Sequence, residues 1–121
     1  GIYREPARIA FQEPQAIRES YVAALNRLLE GGCYVGIATH DEVLVEAAMQ
    51  TVRRLGLSRH QYEFQMLLGV TPTLRQRVLD DGHRLRVYVP YGRDWYPYSI
   101  RRLRENPTVA LHVMRAMVFP G

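Results

Sequence analysis

Apolar positions along the chain alternate between helix-period stretches and short continuous runs. Ile9–Phe11 is a short apolar run ahead of Pro14 and reads as a strand or a loop edge. From Ala16 to Glu30 the spacing predicts a helix with Ile17, Tyr21, Leu25 and Leu28 facing inward, at i, i+4, i+8 and i+11. Gly31-Gly32 ends it in the manner of a helix C-terminus. Cys33–Ala38, CYVGIA, has the unbroken apolar character of a strand buried on both faces, with Cys33 as a buried strand residue. A second helix is expected from Glu42 to Leu55, with Leu44, Ala47, Ala48, Val52 and Leu55 inward and Gly56 as its stop. Tyr62–Leu67, YEFQML, is a further apolar strand, after which Gly69 opens a loop. Thr71-Pro72 reads as an N-cap followed by proline at the first helical position. That helix runs to Asp81, with Leu74, Val78 and Leu79 inward, and Gly82 closes it. Leu85–Val89 is the next strand, and Trp95–Glu105 the last helix. Pro107 breaks that helix before a final turn through Val109, Leu111, Met114 and Met117.

The resulting order, β-α-β-α-β-α-β-α with short connections, predicts an α/β fold of parallel βα units with right-handed crossovers. A doubly wound sheet and a set of βα units from a barrel both fit. No GxGxxG or P-loop follows any strand, which weakens a nucleotide-binding doubly wound reading. A complete eight-unit barrel takes roughly 200 residues or more, so a barrel reading makes this chain about half of one. The first residue is Gly rather than Met, and the expectation is a piece of a longer chain.

Composition narrows the classes. Apolar residues make up 47% of the 121 positions and no low-complexity run occurs, so a packed core is expected. No apolar run reaches the ~18 residues that a transmembrane helix needs, and no signal peptide is expected. One cysteine, Cys33, gives no disulfide framework and fits a reducing, cytoplasmic compartment. The net charge is +4, but the arginines are scattered and interleaved with acids. Without a basic stripe carrying aromatic stacking positions, nucleic acid is not an expected partner.

In either architecture ligands bind at the carboxyl ends of the strands. Thr39, His40 and Asp41 follow the first clear strand; Gln65, Leu67 and Gly69 close the second; Tyr88, Tyr91 and Gly92 close the third. His40 is either a ligand contact or an exposed loop residue beside a helix cap supplied by Thr39 or Asp41. Gln65 carries an amide inside an apolar strand, so its partners lie either in the core or on a ligand. Tyr98, Arg101, Arg102 and Glu105 share one helical face. Two guanidiniums there fit a clamp on a small carboxylate, or a solvated face. No second histidine stands at metal spacing, and no Ser-His-Asp set or close carboxylate pair occurs. A site rich in Arg, Gln and aromatic residues suits chemistry carried by an organic cofactor.

YREP at Tyr3–Pro6, ATHD at Ala38–Asp41, YEFQMLLG at Tyr62–Gly69 and RVYVPYGRDWYPYSIRRLREN at Arg86–Asn106 together resemble the proline dehydrogenase family in its monofunctional bacterial form. The resemblance implies a distorted TIM (βα)8 barrel that holds FAD. It implies that residues 1–121 are the C-terminal half of that barrel, from the end of the fourth strand through the last helix. Arg101 and Arg102 are then the clamp on the proline carboxylate, with Glu105 paired to it and near the cofactor. Tyr88 packs over the substrate, as do Tyr3, Leu67 and Tyr98 around it. Gly1 and Ile2 stand at the Gly-Ala of the family's KGAY motif against the flavin, and Thr39, His40 and Gln65 contact FAD. The implied reaction is FAD-dependent oxidation of L-proline to Δ1-pyrroline-5-carboxylate, the first step of proline catabolism to glutamate. The implied electron acceptor is a quinone, with peripheral association at the inner face of the membrane. The sequence departs from the family pattern at Ile2, where Ala is usual, and at Leu68, where Tyr or His is common. The family's lysine of the first strand, aspartate of the second and arginine before KGAY have no counterpart here. The expectation is therefore an inactive piece that needs an N-terminal half; the alternative is a non-catalytic half-barrel that binds a partner.

Overall fold

The computed structural model describes residues 5–93, 95–97 and 100. Three βα-type repeats emerge in the order α1 Pro14–Glu30, β1 Val35–Ala38, α2 Glu42–Arg54, β2 Tyr62–Leu67, α3 Pro72–Asp80, β3 Leu85–Tyr88. Pro14 opens α1 at a position whose N–H has no helical partner in any case, so the missing donor costs nothing. Its end is set by Gly32 in the left-handed region (φ 75°). That conformation turns the chain so that the Cys33 N–H reaches the Leu28 carbonyl at 3.0 Å. Gly56 (φ 63°) ends α2 in the same way, bringing the Leu57 N–H to the Val52 carbonyl at 3.0 Å.

The strands form one parallel sheet of order β1-β2-β3. Its register pairs Ile37 with Phe64 and Phe64 with Leu85. Ile37, Tyr62, Phe64 and Met66 point to one face, where they form a single cluster with Leu25 and Leu29 of α1, Val45, Ala48, Met49 and Val52 of α2, and Leu74 and Val78 of α3. α1, α2 and α3 therefore cover the same side of the sheet, whereas a doubly wound sheet carries helices on both. Burial of this cluster is the main stabilising term, at roughly 1.5–3 kcal/mol per large apolar side chain.

Several expectations change. Of the two readings of Ile9–Phe11 the loop holds and the strand does not: the Pro6 carbonyl captures the N–H groups of Ile9 and Ala10 at 2.9 and 3.2 Å, making a local turn, and Ile9 and Phe11 are exposed. Cys33 is exposed rather than buried, because its N–H belongs to the helix stop and β1 begins only at Val35. The CYVGIA run is buried on one face only; Gly36 and Ala38 look out from the side opposite the helices. In α1 the buried stripe is Leu25 and Leu29 with Tyr21 packed against them, while Ile17 and Leu28 are exposed. Leu79 of α3 is exposed as well. Residues 95–97 and 100 are helical, as the spacing predicts; the rest of the Trp95–Glu105 helix and the turn from Val109 to Met117 lie outside the described residues. No helix among the described residues is long and apolar enough to cross a membrane.

Candidate functional site on the open face of the sheet

Strand alternation sends every second residue away from the helices. On β2 these are Glu63, Gln65 and Leu67; on β1, Gly36 and Ala38; on β3, Arg86 and Tyr88. The register stacks them in rows across the sheet. Gly36 lies beside Glu63, then Ala38 beside Gln65 and Gln65 beside Arg86, then Leu67 beside Tyr88 at the carboxyl end. Charge and hydrogen bonding occupy the lower rows, and an apolar–aromatic pair forms the rim.

Glu63 organises the lower rows. It is 4% exposed, and its carboxylate takes both Arg86 Nε (2.6 Å) and Arg86 Nη2 (2.9 Å), a bidentate pairing. It also accepts from the Tyr34 hydroxyl at 2.9 Å and from Gln65 Nε2 at 2.8 Å. The Arg86 guanidinium first, and then the Gln65 amide, hold its carboxyl down at about 2, below the usual 4.5. A buried carboxylate this well paired stays ionised through the physiological range. The amide of Gln65 is thereby oriented: only its NH2 end can face a carboxylate, so its Oε1 is the end left to face elsewhere. Gly36 makes the room, since a Cβ there would stand 2.6 Å from Gln65 Nε2.

The rim is tied together by His40. Its Nε2 accepts from the Leu67 N–H at 2.9 Å. That bond places the ring proton of neutral His40 on Nδ1 and leaves Nδ1–H as a donor. Burial lowers the pKa of the imidazole below its ordinary value, so the neutral form dominates at pH 7. Asp41 caps α2, its Oδ1 accepting from the Val43 N–H at 2.9 Å, and its other oxygen takes Arg18 Nε at 2.7 Å. Thr39 Oγ1 accepts from the Asp41 N–H at 3.1 Å, which keeps the hydroxyl proton free to donate.

Beside this rim, His40, Glu42, Thr71, Thr73, Leu74 and Arg77 line a cleft of about 280 Å³ between the starts of α2 and α3. Thr71 holds left-handed backbone angles (φ 43°, ψ 60°), a strained conformation for a β-branched residue. It occupies the N-cap position of α3 but makes no side-chain cap bond. Its Oγ1 is instead buried without a described hydrogen-bond partner. Arg77 is spoken for by Glu42 at 3.7 Å and by Glu46.

The structure puts Gln65, Leu67 and Tyr88 on the open face of the sheet, and Thr39 and His40 just past the carboxyl end of β1, where His40 bonds the Leu67 N–H. His40 is half-buried and bonded to β2, so it is not the exposed loop residue that one reading allowed. Gln65 has a protein partner in Glu63, and the amide stays on the open face. Gly1, Ile2, Tyr3, Tyr98, Arg101, Arg102 and Glu105 lie outside the described residues. Sequence reasoning passed over Glu63, Arg86, Tyr34 and Gly36. The signal was available: an acid inside an apolar strand needs a partner, and Arg86 stands two residues before Tyr88 in the adjacent strand.

Donors at the strand ends (Thr39 hydroxyl, His40 Nδ1–H and the orphaned Thr71 hydroxyl) suit an anionic or oxygen-rich group such as a dinucleotide's diphosphate or ribose. Among the described residues no cluster of His, Cys, Asp or Glu could hold a metal ion.

Residues 6–115 match the family model described as Proline dehydrogenase. The chain is 37% identical over 118 residues to Proline dehydrogenase of Deinococcus radiodurans, an alignment covering 98% of this chain and 38% of that protein. It is 35% identical over 117 residues to Proline dehydrogenase 2 of Bacillus subtilis strain 168, covering 97% of this chain and 39% of the relative. Proline dehydrogenase 1 of the same strain is 35% identical over 118 residues, with 98% and 39% covered. The chain thus spans well under half the length of the relatives it matches.

Proposed function

The chain belongs to the proline dehydrogenase family, and from that premise we propose that it forms part of an FAD-dependent enzyme that oxidises L-proline to Δ1-pyrroline-5-carboxylate. The observation that carries the reading is the rim itself: the Leu67–Tyr88 pair, joined to His40 through the Leu67 N–H, at the carboxyl ends of parallel strands. Among the described residues, α1, α2 and α3 lie on one face and polar residues on the other, which supports a sector of a (βα)8 barrel whose interior is the Glu63–Gln65–Leu67 face.

In this reading Thr39, His40 and Thr71 would hold FAD by hydrogen-bond donation at the strand ends, and Gln65 would contact the flavin. FAD, when bound, supplies a two-electron acceptor. Oxidation of proline removes a hydride from the ring carbon next to nitrogen and a proton from the nitrogen, leaving a C=N bond. Leu67 and Tyr88 form an apolar wall against the pyrrolidine ring and exclude water from that carbon. Arg101 and Arg102 fix the carboxylate, which sets the ring's position by two-point charge-assisted contact; Tyr3 and Tyr98 line the same pocket, and Glu105 aligns the clamp. Gly1 and Ile2 would stand against the flavin. The protein's contribution is orientation and charge complementarity. A quinone is the proposed electron acceptor, met by peripheral contact with the cytoplasmic face of the membrane. The remaining sector of the barrel is required for this activity.

The test is an absorbance spectrum of the longest natural polypeptide that carries this chain, reconstituted with FAD. Under anaerobic conditions, L-proline is expected to bleach the flavin band near its visible maximum. A band that stays oxidised with saturating L-proline overturns the reading.

A further inference from the structure

The Glu63 network reaches the site through one group, the Gln65 amide. The carboxylate lies one row below Gln65 on β2, locked between Arg86 of β3 and Tyr34 ahead of β1. It accepts from Gln65 Nε2 at 2.8 Å. Gly36 leaves the space in which that side chain lies down against β1. A glutamine without such a neighbour can present either end of its amide to a ligand. Here a donor-less carboxylate occupies the NH2 end, and no described residue donates to Oε1.

We propose that Glu63 is a positioning residue that locks the Gln65 carboxamide with its carbonyl oxygen toward the bound ligand, so that position 65 serves as a hydrogen-bond acceptor for a ligand N–H. The inference rests on the FAD and proline reading of this face and deepens it. Two N–H donors are available there, one on the flavin ring and one on the secondary amine of the substrate. They share one chemistry and are separable by measurement. Arg86 keeps the lock charged, Gly36 gives it room, and neither needs to touch the ligand.

The test is a double-mutant cycle of Glu63→Gln and Gln65→Leu in the longest natural polypeptide that carries this chain. Glu63→Gln puts an amide beside an amide, so the Gln65 end-to-end choice is no longer forced. FAD Kd is read by quenching of flavin fluorescence, and KM and kcat for L-proline are read separately. Losing one neutral hydrogen bond of about 1 kcal/mol corresponds to roughly fivefold. Gln65→Leu is expected to cost about that factor, and Glu63→Gln a smaller one. In the Gln65→Leu background, Glu63→Gln is expected to cost nothing further. A weaker FAD Kd assigns the flavin N–H, and a raised proline KM at unchanged FAD Kd assigns the amine. Independent, multiplying effects, or a Glu63→Gln protein that binds both ligands like the wild type, overturn the inference alone. A wild-type protein that takes up neither FAD nor L-proline overturns the proposed function and this inference together. Glu63→Asp, which keeps the charge but shortens the reach, provides a second variant if Glu63→Gln fails to fold; it is expected to weaken the same ligand, and wild-type binding by it overturns the inference.

Discussion

The backbone of Gly36 and the amide of Gln65 share one space: a Cβ on residue 36 would stand 2.6 Å from Gln65 Nε2 and 3.0 Å from Gln65 Cδ. The neighbour is the far end of a flexible side chain, so it yields by rotating away from Glu63. Gly36→Ala is therefore expected to cost about 1 kcal/mol of stability, the worth of the lost hydrogen bond, rather than to unfold the protein. Adding Gln65→Ala should remove the clash and make the Gly36→Ala step nearly neutral. Urea unfolding of the two single variants and the double variant checks this; a full additive loss in the double variant counts against it.

Glu63 gives the protein an acid-sensitive term. Its folded pKa is depressed to about 2 from 4.5, so its contribution is fully present above the unfolded value and fades as pH falls from 4.5 toward 2. Arg86 is the leading cause of that depression. Arg86→Met is expected to raise the Glu63 pKa and flatten the fall of stability with acid across that window. Thermal midpoints collected from neutral pH downward read this directly, and identical slopes in the two proteins would rule Arg86 out as the cause.

His40 acts in the opposite chemical sense but has the same pH sign. Its folded pKa is lowered by burial, so the unfolded chain takes up a proton first as pH drops through 6.5. Stability is expected to decline below that value, and the protonated ring can no longer accept from the Leu67 N–H. His83, also lowered by burial and bonded through Nδ1 to the Tyr62 hydroxyl at 2.7 Å, adds to the decline. Nitrogen NMR of the imidazoles separates them: His40 should show a bare Nε2 and a protonated Nδ1. The reverse tautomer at His40 would contradict the arrangement at the rim.

Thr71 stores backbone strain. Gly at this position adopts φ 43° freely, so Thr71→Gly is expected to stabilise the protein by up to about 1 kcal/mol. The same change deletes the buried hydroxyl in the cleft. FAD affinity should fall while the melting temperature rises, the pattern of a strained ligand contact. A rise in both, or in neither, argues against a ligand role for Thr71.

Arg101 carries the strongest sequence expectation for substrate binding, although it lies outside the described residues. A bidentate charge-assisted contact is worth about 1.5–3 kcal/mol, on the order of 10- to 100-fold. Arg101→Met should raise the proline KM by that order with a smaller effect on FAD Kd. An unchanged KM would remove Arg101 from the clamp.

Local periodicity was enough to locate α2, α3, β2 and β3, because each has an apolar face and a clear stop. It left Ile9–Phe11 open between strand and loop and misplaced Cys33, for one reason. Apolar character says nothing about where a backbone N–H will go, and both segments spend theirs on local turns. The rim residues Thr39, His40, Leu67 and Tyr88 were legible because parallel topology places ligands at strand ends. Glu63 inside an apolar strand signalled that a partner was needed, but which one was not legible, because its partners come from three separate segments and meet only once the register is set. Pairing across strands is a tertiary fact that no single window contains.

Glu63 also acts as an alignment key. Sliding β2 by one residue against its neighbours would drive a carboxylate into the helix-side core, which the apolar alternation already forbids. Sliding it by two keeps every side chain on its proper face, so hydrophobicity cannot detect the error. Such a slide carries Glu63 about 6.6 Å from Arg86 and from Tyr34 and strands a buried charge. The ion pair thus proofreads the one misalignment of these strands that the core would tolerate.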